Sequence, residues 1–515
     1  MSRRALALAA AACALGLGVR LVLLVQPIGG DPGIYAYVAG RVLEGDLPYR
    51  DVFEQKPPAI LYTYAAAFAV AGRSMRAVQV ADFMAWAATV AALGVLAHRL
   101  RRDPAITTLT IALAALFVNP TLQSSFKQVG QTETFLAAWA TLSIALALGS
   151  GLVAAALAGV CVSIAVLHKY NATIYLLVAV GALFANSSER WPIRRAMALA
   201  AGFTAPLAAV LLYFWFRGGL AEFYEATIRY NAEYTTGTYT SIAAFVKRTL
   251  VVTWRFATMN FLWTAGGAGT LLLSWEAVRG DRRAAVAVAF VAAAYVAILA
   301  NAKFYPQYFL QILPPLALTS ACFLVAAWRA TWQAGRRAAG FALLALAAIH
   351  LARHTDVGRL SADIVAAGRH AIGETDTETY FARFETTGVT RFSLLADYRV
   401  ARRIAETTQR DDPIYIYGGE PLVLFLANRR SPSRFVWNDP FVAGAYRTRF
   451  THADLVRELE ARPPAYFIVL RRDANMIDPV ESIEHYRRSP ELQAFVAERF
   501  DELGWFEDFL LFKRR

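Results

Sequence analysis

The chain has 515 residues, of which 57% are apolar and 18% are charged, and its mean hydropathy is +0.38. Soluble globular proteins average about 45–50% apolar and about 25% charged residues, so most of this chain does not face water. Aromatic residues make up 13% of the chain, and this content excludes a disordered protein. The net charge of +13 is typical of nucleic-acid binding only if the basic residues share one soluble face.

Apolar runs of membrane-spanning length recur from Ala5 to about residue 350. A bilayer core needs roughly 17–25 apolar residues per helix. The first run continues past Cys13 to Val25, which is too long for the apolar core of a signal peptide, so we expect an uncleaved first span. The pattern predicts a mainly α-helical bundle of about eleven spans, near residues 5–26, 75–97, 104–118, 133–149, 152–168, 172–186, 196–216, 251–275, 284–301, 308–330 and 338–350.

Arginines cluster at the ends of alternate connections between these spans. They are Arg3/Arg4, Arg99/Arg101/Arg102, Arg190/Arg194/Arg195, Arg279/Arg282/Arg283 and Arg329/Arg336/Arg337. By the positive-inside rule these connections are cytoplasmic, which predicts a multi-pass protein of the bacterial cytoplasmic membrane with its N-terminus inside. The basic excess is therefore a signal of topology, and we expect no nucleic-acid partner.

The tail beyond residue 352 is charged and mixed, so we predict a membrane domain over 1–352 and an extracytoplasmic α/β domain over 353–515. Strands are predicted at 413–417, 434–437 and 465–470, with a final strand or hairpin at 505–513. Helices are predicted at 393–408, 421–428 and 452–461, with 480–500 mostly helical. Gly418-Gly419 follows a strand and opens a helix; it suits either an ordinary βα turn or an anion-binding turn.

The first outer loop, 27–74, carries the most informative residues. Asp31 follows two glycines where the first span ends, a short amphipathic helix is expected from Tyr35 to Leu43, and Glu54 and Lys56 precede two prolines. The apolar stretch 59–71 is short and close to the next span, so we expect a helix on the membrane surface. A carboxylate at a membrane boundary is costly unless it is solvated or paired. An isolated Asp31 would be typical of a helix end. Because Asp31 shares one loop with Glu54 and Lys56, a functional site is favoured instead.

Further polar residues are predicted on the same outer face. Glu133 opens the fourth span, His168-Lys169-Tyr170-Asn171 ends the fifth, and Tyr305, Gln307 and Tyr308 lie at the outer mouth of the tenth. Each has a simpler interpretation: an acid favoured by a helix N-terminus, a snorkelling lysine, or an interfacial aromatic belt. The aromatic-rich outer loop 223–239 suits either belt packing or acceptor binding.

Taken in order, these motifs resemble the integral-membrane glycosyltransferases of the GT-C fold, above all the protein O-mannosyltransferases and lipid A aminoarabinose transferases. The resemblance covers roughly residues 1–350 and is carried by Asp31 with Tyr35, the GxxPY of 45–49, the FExKPP of 53–58, the QTETF around Glu133, HKYN at 168–171 and KFYPQYFLQILPP at 303–315. It departs from relatives at Pro32, where many carry Glu, and at Gln307, where many carry His. It implies an inverting transfer of a sugar from a polyprenyl-phosphate (or pyrophosphate) donor to a lipid, glycan or protein acceptor on the outer face.

Inverting transfer needs a carboxylate base for the attacking hydroxyl and positive charge for the departing phosphate. We assign Asp31 as the base, with Glu133 as the second acid. Lys56 is the first choice for the donor phosphate and Lys169 the second. The remaining candidates, Tyr35, Glu54, Tyr305, Gln307 and Tyr308, are expected to line the donor or acceptor groove.

Two other classes of function remain open on the sequence. A membrane transporter or flippase for a glycolipid or envelope precursor would also need many spans, although such proteins tend to show inverted repeats and broken helices. A sensor or scaffold with an outer domain would not need eleven membrane spans. No cofactor is required by the assigned chemistry; Asp31, Glu54 and Glu133 offer the oxygen ligands that a hard divalent cation prefers, but no ligand spacing implies a metal.

Overall fold

The computed structural model describes residues 3–118, 129–186, 192–235, 239, 241–259, 261–333, 357–385, 393–442, 449–475 and 478–515, with single residues and short runs between 338 and 349. Within these residues the chain forms two compact units. The helical unit comprises 1–24, 79–212 and 237–367, and the mixed unit comprises 25–78, 213–236 and 368–515. The mixed unit therefore joins the first predicted outer loop to the tail. The predicted division into 1–352 and 353–515 stays a prediction.

Helices account for almost all of the helical unit, two of them running a few residues beyond its bounds. They are Arg3–Val22, Met75–Arg101, Pro104–Phe117, Thr132–Ala147, Leu152–His168, Ile174–Ala185, Ile193–Phe216, Ile242–Met259, Phe261–Val278, Arg282–Leu299 and Leu313–Gln333, with 3-10 turns at Leu23–Val25, Tyr170–Thr173 and Pro306–Ile312. A further helix, Val357–Ala371, links this unit to the mixed unit along the chain.

Among the described residues, four helical runs are long and apolar enough to cross a membrane: Met75–Arg101, Ile193–Phe216, Arg282–Leu299 and Pro306–Trp332. Pro104–Phe117 has 14 residues, and at about 1.5 Å per residue it is shorter than a bilayer core of about 30 Å. The predicted eleventh span, 338–350, lies largely outside the described residues. The structure therefore has the helices of a multi-pass membrane protein without confirming the number of eleven spans.

The predicted span 251–275 covers parts of two described helices, Ile242–Met259 and Phe261–Val278, on either side of residue 260. The first of them begins before the predicted span. Lys247, Arg248 and Arg255 interrupt the apolar run of the first helix, so hydropathy placed its beginning too late. A helix is defined by its backbone hydrogen bonds, which tolerate polar residues on one face.

Small residues let the helices of this unit approach closely. A methyl group added to Gly269 would lie 1.9 Å from the Thr319 carbonyl oxygen, and one added to Gly159 would lie 2.0 Å from the Leu199 carbonyl oxygen. Glycine at such crossings brings backbones together in membrane helices, where packing replaces the hydrophobic effect as the source of association. The helix bundle is therefore closed by van der Waals contact at these crossings.

The mixed unit has helices in the first loop, in the segment 213–236 and throughout the tail. They are Asp31–Leu43, Ala59–Ala71, Leu220–Tyr224, Glu225–Arg229 (a π-helical turn), Tyr230–Thr235, Thr377–Phe381, Leu394–Thr407, Leu422–Ala427, Asp439–Val442, His452–Ala461, Ser482–Arg487 and Pro490–Arg499, with a 3-10 turn at Ala382–Phe384. Four strands, β1 (Ile414–Tyr417), β2 (Tyr466–Leu470), β3 (Phe500–Phe506) and β4 (Phe509–Arg514), form a sheet in the order β1-β2-β4-β3. β1 and β2 are parallel, and the other pairs are antiparallel. The tail is thus the small α/β structure that the sequence predicts.

The strand predicted at 434–437 is absent from the described sheet. Phe435, Val436 and Trp437 are buried, but in an irregular segment. The Phe53 amide donates a hydrogen bond to the Arg434 carbonyl at 2.8 Å, and the Phe53 ring packs on the rings of Phe435 and Trp437. The apolar run is therefore buried by the first loop and not by strand pairing.

The tail helix Leu422–Ala427 packs on the two helices of the first loop. The Arg73 guanidinium lies 4.6 Å from the centre of the Phe425 ring and donates to the Phe425 carbonyl at 2.9 Å. Phe68 stacks on Phe425 with ring centres 5.7 Å apart. The Ser431 amide donates to the Tyr37 hydroxyl at 2.8 Å. Loop and tail thus share one core, which holds the loop residues of the candidate site in place.

Candidate active site

Asp31 is the first residue of the helix Asp31–Leu43, after Gly30 in a left-handed conformation with φ of 63°. Its side chain is 38% exposed. Tyr35, one turn along the helix, donates its hydroxyl hydrogen bond to Asp31 Oδ2 at 3.3 Å. The Lys56 Nζ lies 3.6 Å from the same oxygen. Three of the predicted site residues therefore meet at one accessible carboxylate.

The backbone around Lys56 is held by three hydrogen bonds. Glu54 Oε1 accepts from the Lys56 amide at 3.0 Å, and the Tyr49 hydroxyl donates to the Lys56 carbonyl at 2.9 Å. The Asn231 amide group donates to the Gln55 carbonyl at 2.7 Å. These contacts fix the stem of a lysine whose side chain is 16% exposed, so its ammonium is confined to the neighbourhood of Asp31.

Glu54 is a buried carboxylate with one satisfied oxygen. The residue is 2% exposed, and Oε1 accepts from the Gln55 and Lys56 amides. Within the described residues Oε2 makes no hydrogen bond. Burial raises the pKa of Glu54 to about 7; Lys56 and the two amide hydrogen bonds oppose this rise, and the charge of Asp31 adds to it. Glu54 therefore changes its charge near neutral pH, next to the Asp31–Lys56 pair.

A second cluster lies in the helical unit. Glu133, in the first turn of the helix Thr132–Ala147, is 1% exposed. Lys169 Nζ lies 2.5 Å from Glu133 Oε1 and 3.5 Å from the centre of the Tyr308 ring. Two charges buried to this extent are stable only when they are paired. The charge of Lys169, the second candidate for binding the donor phosphate, is thus balanced by the charge of Glu133.

The remaining predicted groove residues lie on the 3-10 turn Pro306–Ile312 and just before it. The rings of Tyr305 and Tyr308 meet edge to face at 5.5 Å, and Gln307 is half-buried. In the described residues, Asp31, Tyr35, Glu54 and Lys56 come together in the mixed unit, and Glu133, Lys169, Tyr305 and Tyr308 in the helical unit. Among the described residues, no contact of Gln307 places it in either cluster.

The structure also shows a buried ion pair that was not predicted from the sequence. Arg20 and Asp82 form an ion pair inside the helical unit, both nearly inaccessible to solvent, and Asp82 Oδ1 accepts from the Gly130 amide at 3.0 Å. The signal was present, because an arginine and an aspartate inside predicted spans stand out as costly residues. The loop of Gly130 leads into Glu133, so this pair fixes the approach to that acid.

Metal binding is not supported by any group of side chains in the described ranges, where no three His, Cys, Asp or Glu residues come together as a metal site requires. The loop cluster has other chemistry. An accessible carboxylate can accept a proton from a hydroxyl, and a confined ammonium can stabilise negative charge.

Comparisons with known proteins identify the architecture. No protein-family model matches the sequence, and no curated protein matches it. Among solved structures, the aminoarabinose transferase ArnT from Cupriavidus metallidurans bound to undecaprenyl phosphate superposes with a TM-score of 0.55 at 14% identity, covering 98% of this chain and 97% of that one. The oligosaccharyltransferase AglB from Archaeoglobus fulgidus, in complex with an inhibitory peptide and a dolichol-phosphate, gives 0.52 at 12% identity, over 91% and 69% of the chains. The predicted GT-C fold is thereby confirmed.

Proposed function

We propose that the chain is an inverting glycosyltransferase that moves a sugar from a polyprenyl-phosphate donor to an acceptor on the outer face of the bacterial cytoplasmic membrane. The observation that carries the proposal is the accessible Asp31 carboxylate held 3.6 Å from Lys56. The fold supports it, because one structure that shares the fold was crystallised with undecaprenyl phosphate.

The proposed reaction is an in-line displacement at the anomeric carbon. The acceptor oxygen forms the new bond to C1 while the bond from C1 to the phosphate oxygen breaks, and the phosphate leaves with the bonding electrons. Asp31 takes the proton from the acceptor hydroxyl as general base. A phosphate is a weak base, so it leaves unprotonated, and Lys56 stabilises its negative charge.

The contact between Lys56 and Asp31 suggests how donor binding bears on the base. Lys56 Nζ lies 3.6 Å from Asp31 Oδ2, so one ammonium can reach both the carboxylate and a phosphate bound beside it. A bound phosphate would draw the ammonium away through a charge-assisted hydrogen bond and leave Asp31 to the acceptor. Tyr35, which donates to Asp31 Oδ2, would keep the carboxylate oriented.

The other predicted residues keep their proposed roles. Glu133 serves as the second acid and Lys169 as the second cation, Glu54 lines the groove beside Lys56, and Tyr305, Gln307 and Tyr308 line the donor groove. The positions of the arginines support a cytoplasmic N-terminus and an extracytoplasmic tail. Lipid, glycan and protein acceptors all remain compatible with this chemistry.

The test is a comparison of cells with and without the gene, by mass spectrometry of their polyprenyl-phosphate sugars, glycolipids, glycans and glycoproteins. Loss of the gene should remove one sugar from an envelope product and cause the matching polyprenyl-phosphate sugar to accumulate. Complementation with the wild-type gene should restore the product, and Asp31→Asn should not, although the variant is made and folded. Asp411→Asn, an exposed aspartate of the tail, is the matched control and should restore the product.

Two results would contradict the proposal. Restoration of the product by Asp31→Asn would remove Asp31 as the base. A change in the transbilayer distribution of a glycolipid, with every glycosidic linkage intact, would favour the transporter.

A further inference from the structure

A cleft of about 250 Å³ opens in the mixed unit, beside the loop that carries Lys56. Its lining combines aromatic rings with charged side chains. The residues are Tyr49, Phe53, Ala221, Glu222, Glu225, Arg434, Arg449 and Phe450. Pockets for drug-sized ligands measure about 300–1,000 Å³, so this cleft suits a smaller group, of the size of one sugar ring.

The charges of the described lining balance. The carboxylates of Glu222 and Glu225 and the guanidinium groups of Arg434 and Arg449 have no net charge together. Arg449 Nε lies 3.0 Å from Glu225 Oε1, and Arg434 Nε lies 3.8 Å from Glu458 Oε1 behind the lining. A phosphate or carboxylate would have to compete with these carboxylates for the guanidinium groups. Neutral hydroxyl groups need not, because they can donate to a carboxylate and accept from a guanidinium at once.

The aromatic residues of the cleft are held rigidly. Phe53 contacts the rings of Tyr230 and Phe450 at centre distances of 5.4 and 6.1 Å, and Tyr49 packs against Phe223 at 5.4 Å. The Arg434 guanidinium lies 5.0 Å from the centre of the Phe450 ring. Tyr49 and Phe53 are 0% and 1% exposed, so they support the cleft from beneath. The half-buried Phe450 ring, beside Arg434, offers an apolar face next to polar groups, as amphipathic ligands such as sugars require.

The cleft adjoins the candidate active site without including its reacting groups. Phe53 lines the cleft, whereas Glu54, the next residue, hydrogen-bonds the Lys56 amide. Tyr49 is a buried residue of the lining, and its hydroxyl donates to the Lys56 carbonyl. A group bound here would therefore be anchored to the loop of Lys56 while Asp31 acts on another part of the substrate.

We propose that this cleft binds a neutral, hydroxyl-rich sugar unit of the acceptor, next to the unit that receives the transferred sugar. This assignment rests on the proposed function and names the substrate class of the same enzyme. It selects acceptors that already carry a sugar, in a glycolipid, a glycan or a glycosylated protein. A sugar bound in the cleft would affect Tyr49, whose hydroxyl hydrogen-bonds the Lys56 carbonyl, and through it the position of the Lys56 backbone.

The test is saturation-transfer-difference NMR on the full-length protein in detergent, with methyl glycosides of neutral hexoses, pentoses and N-acetylhexosamines as probes. At least one glycoside should give a signal, and Glu222→Gln and Arg449→Lys should each weaken it at least fivefold. Glu233→Gln is the matched control, since Glu233 lies on the neighbouring helix Tyr230–Thr235, outside the lining. Its signal should equal that of the wild type.

Two results would overturn the assignment: absence of a signal from every glycoside, or a signal that the two cleft variants leave unchanged. Displacement of the glycoside by millimolar inorganic phosphate would do the same, because it would indicate an anion site. Binding is measured without turnover, and Asp31→Asn should retain it. The two proposals can therefore fail separately. The cleft could bind a sugar in a protein that transfers none, and the protein could transfer a sugar without binding one in the cleft.

Discussion

Lys56 Nζ lies 3.6 Å from Asp31 Oδ2, in a loop whose backbone is held by Glu54, Tyr49 and Asn231. The ammonium is confined on its stem and lies beside a carboxylate whose side chain is 38% exposed. A phosphate that enters beside this carboxylate can accept a charge-assisted hydrogen bond from the same ammonium. This relationship favours Lys56 as the residue that meets the donor phosphate.

Replacing Lys56 should therefore affect the donor more than the acceptor. Loss of a charged hydrogen bond costs about 1.5–3 kcal/mol, so Lys56→Ala should raise the KM for the polyprenyl-phosphate sugar by roughly 10- to 100-fold and leave the KM for the acceptor almost unchanged. Lys56→Arg should recover part of the loss. Steady-state kinetics with each substrate varied in turn measures this, and an unchanged donor KM in Lys56→Ala would remove Lys56 from the site.

The hydroxyl of Tyr49 should also contribute to donor binding, indirectly, because it holds the backbone of Lys56. Tyr49→Phe keeps the ring among its aromatic neighbours but loses the hydrogen bond to the Lys56 carbonyl, worth about 1 kcal/mol. We expect the donor KM to rise roughly fivefold with little change in thermal stability. Tyr62→Phe, which removes a hydroxyl paired with Tyr213 at 3.0 Å, is the control. Equal kinetic effects in both variants would contradict a specific role for Tyr49.

Glu54 should make stability depend on pH. The pKa of Glu54 is raised from 4.5 to about 7 by burial, so between these values the folded chain binds more protons than the unfolded chain, and its stability falls as the pH rises. Glu54→Gln removes this loss, which is on the order of a few kcal/mol when ionisation is complete. The Tm of the variant minus that of the wild type should increase from pH 4.5 to pH 7 and then level off.

Thermal unfolding in detergent at each pH measures this difference, with Glu233→Gln as a control for the loss of a carboxylate that is 29% exposed. A difference for Glu54→Gln that stays constant across the window, or that shrinks as the pH rises, would show that burial does not raise the pKa of Glu54.

The pair of Glu133 and Lys169 can be divided into a structural and a functional part. Glu133→Gln leaves the buried Lys169 charge without its partner, which typically costs about 3–5 kcal/mol. Replacing both, as in Glu133→Gln with Lys169→Met, should recover most of the lost Tm. If the pair also serves the reaction, the double variant should be stable yet inactive. A stable and fully active double variant would limit the pair to a structural role.

The sequence could predict much of the tail, because its helices and strands are short, well capped and periodic. The helix His452–Ala461 has the predicted bounds, and it begins with a capping box in which Thr451 and Asp454 bond each other's amides. The segment 434–437 was mistaken for a strand because burial and a run of apolar residues do not specify a partner. That partner, Phe53, lies some 380 residues away in sequence, and no local pattern reveals such a contact.

The candidate site was predictable only in part. The first-loop helix was predicted from Tyr35 but begins at Asp31, and only with this extra turn does the contact of Asp31 with Tyr35 follow from helical spacing. The pairing of Glu133 with Lys169 depends on how two helices pack, and was predicted only as a shared membrane side. The cleft could not be predicted at all, because Glu222, Arg434 and Arg449 come from three separate segments.

Two neighbouring glycines of the helix Phe261–Val278 offer a direct test of how the helical unit packs. A methyl group on Gly269 would lie 1.9 Å from the Thr319 carbonyl oxygen, whereas one on Gly267 would meet nothing within 4 Å. Overpacking of this kind costs about 1–3 kcal/mol, and alanine otherwise favours a helix over glycine by about 1 kcal/mol. Gly269→Ala should therefore lower the Tm of the purified protein, and Gly267→Ala should leave it unchanged or raise it slightly. Equal Tm values for the two variants would mean that the helices Phe261–Val278 and Leu313–Gln333 do not approach as closely at Gly269 as the structure places them.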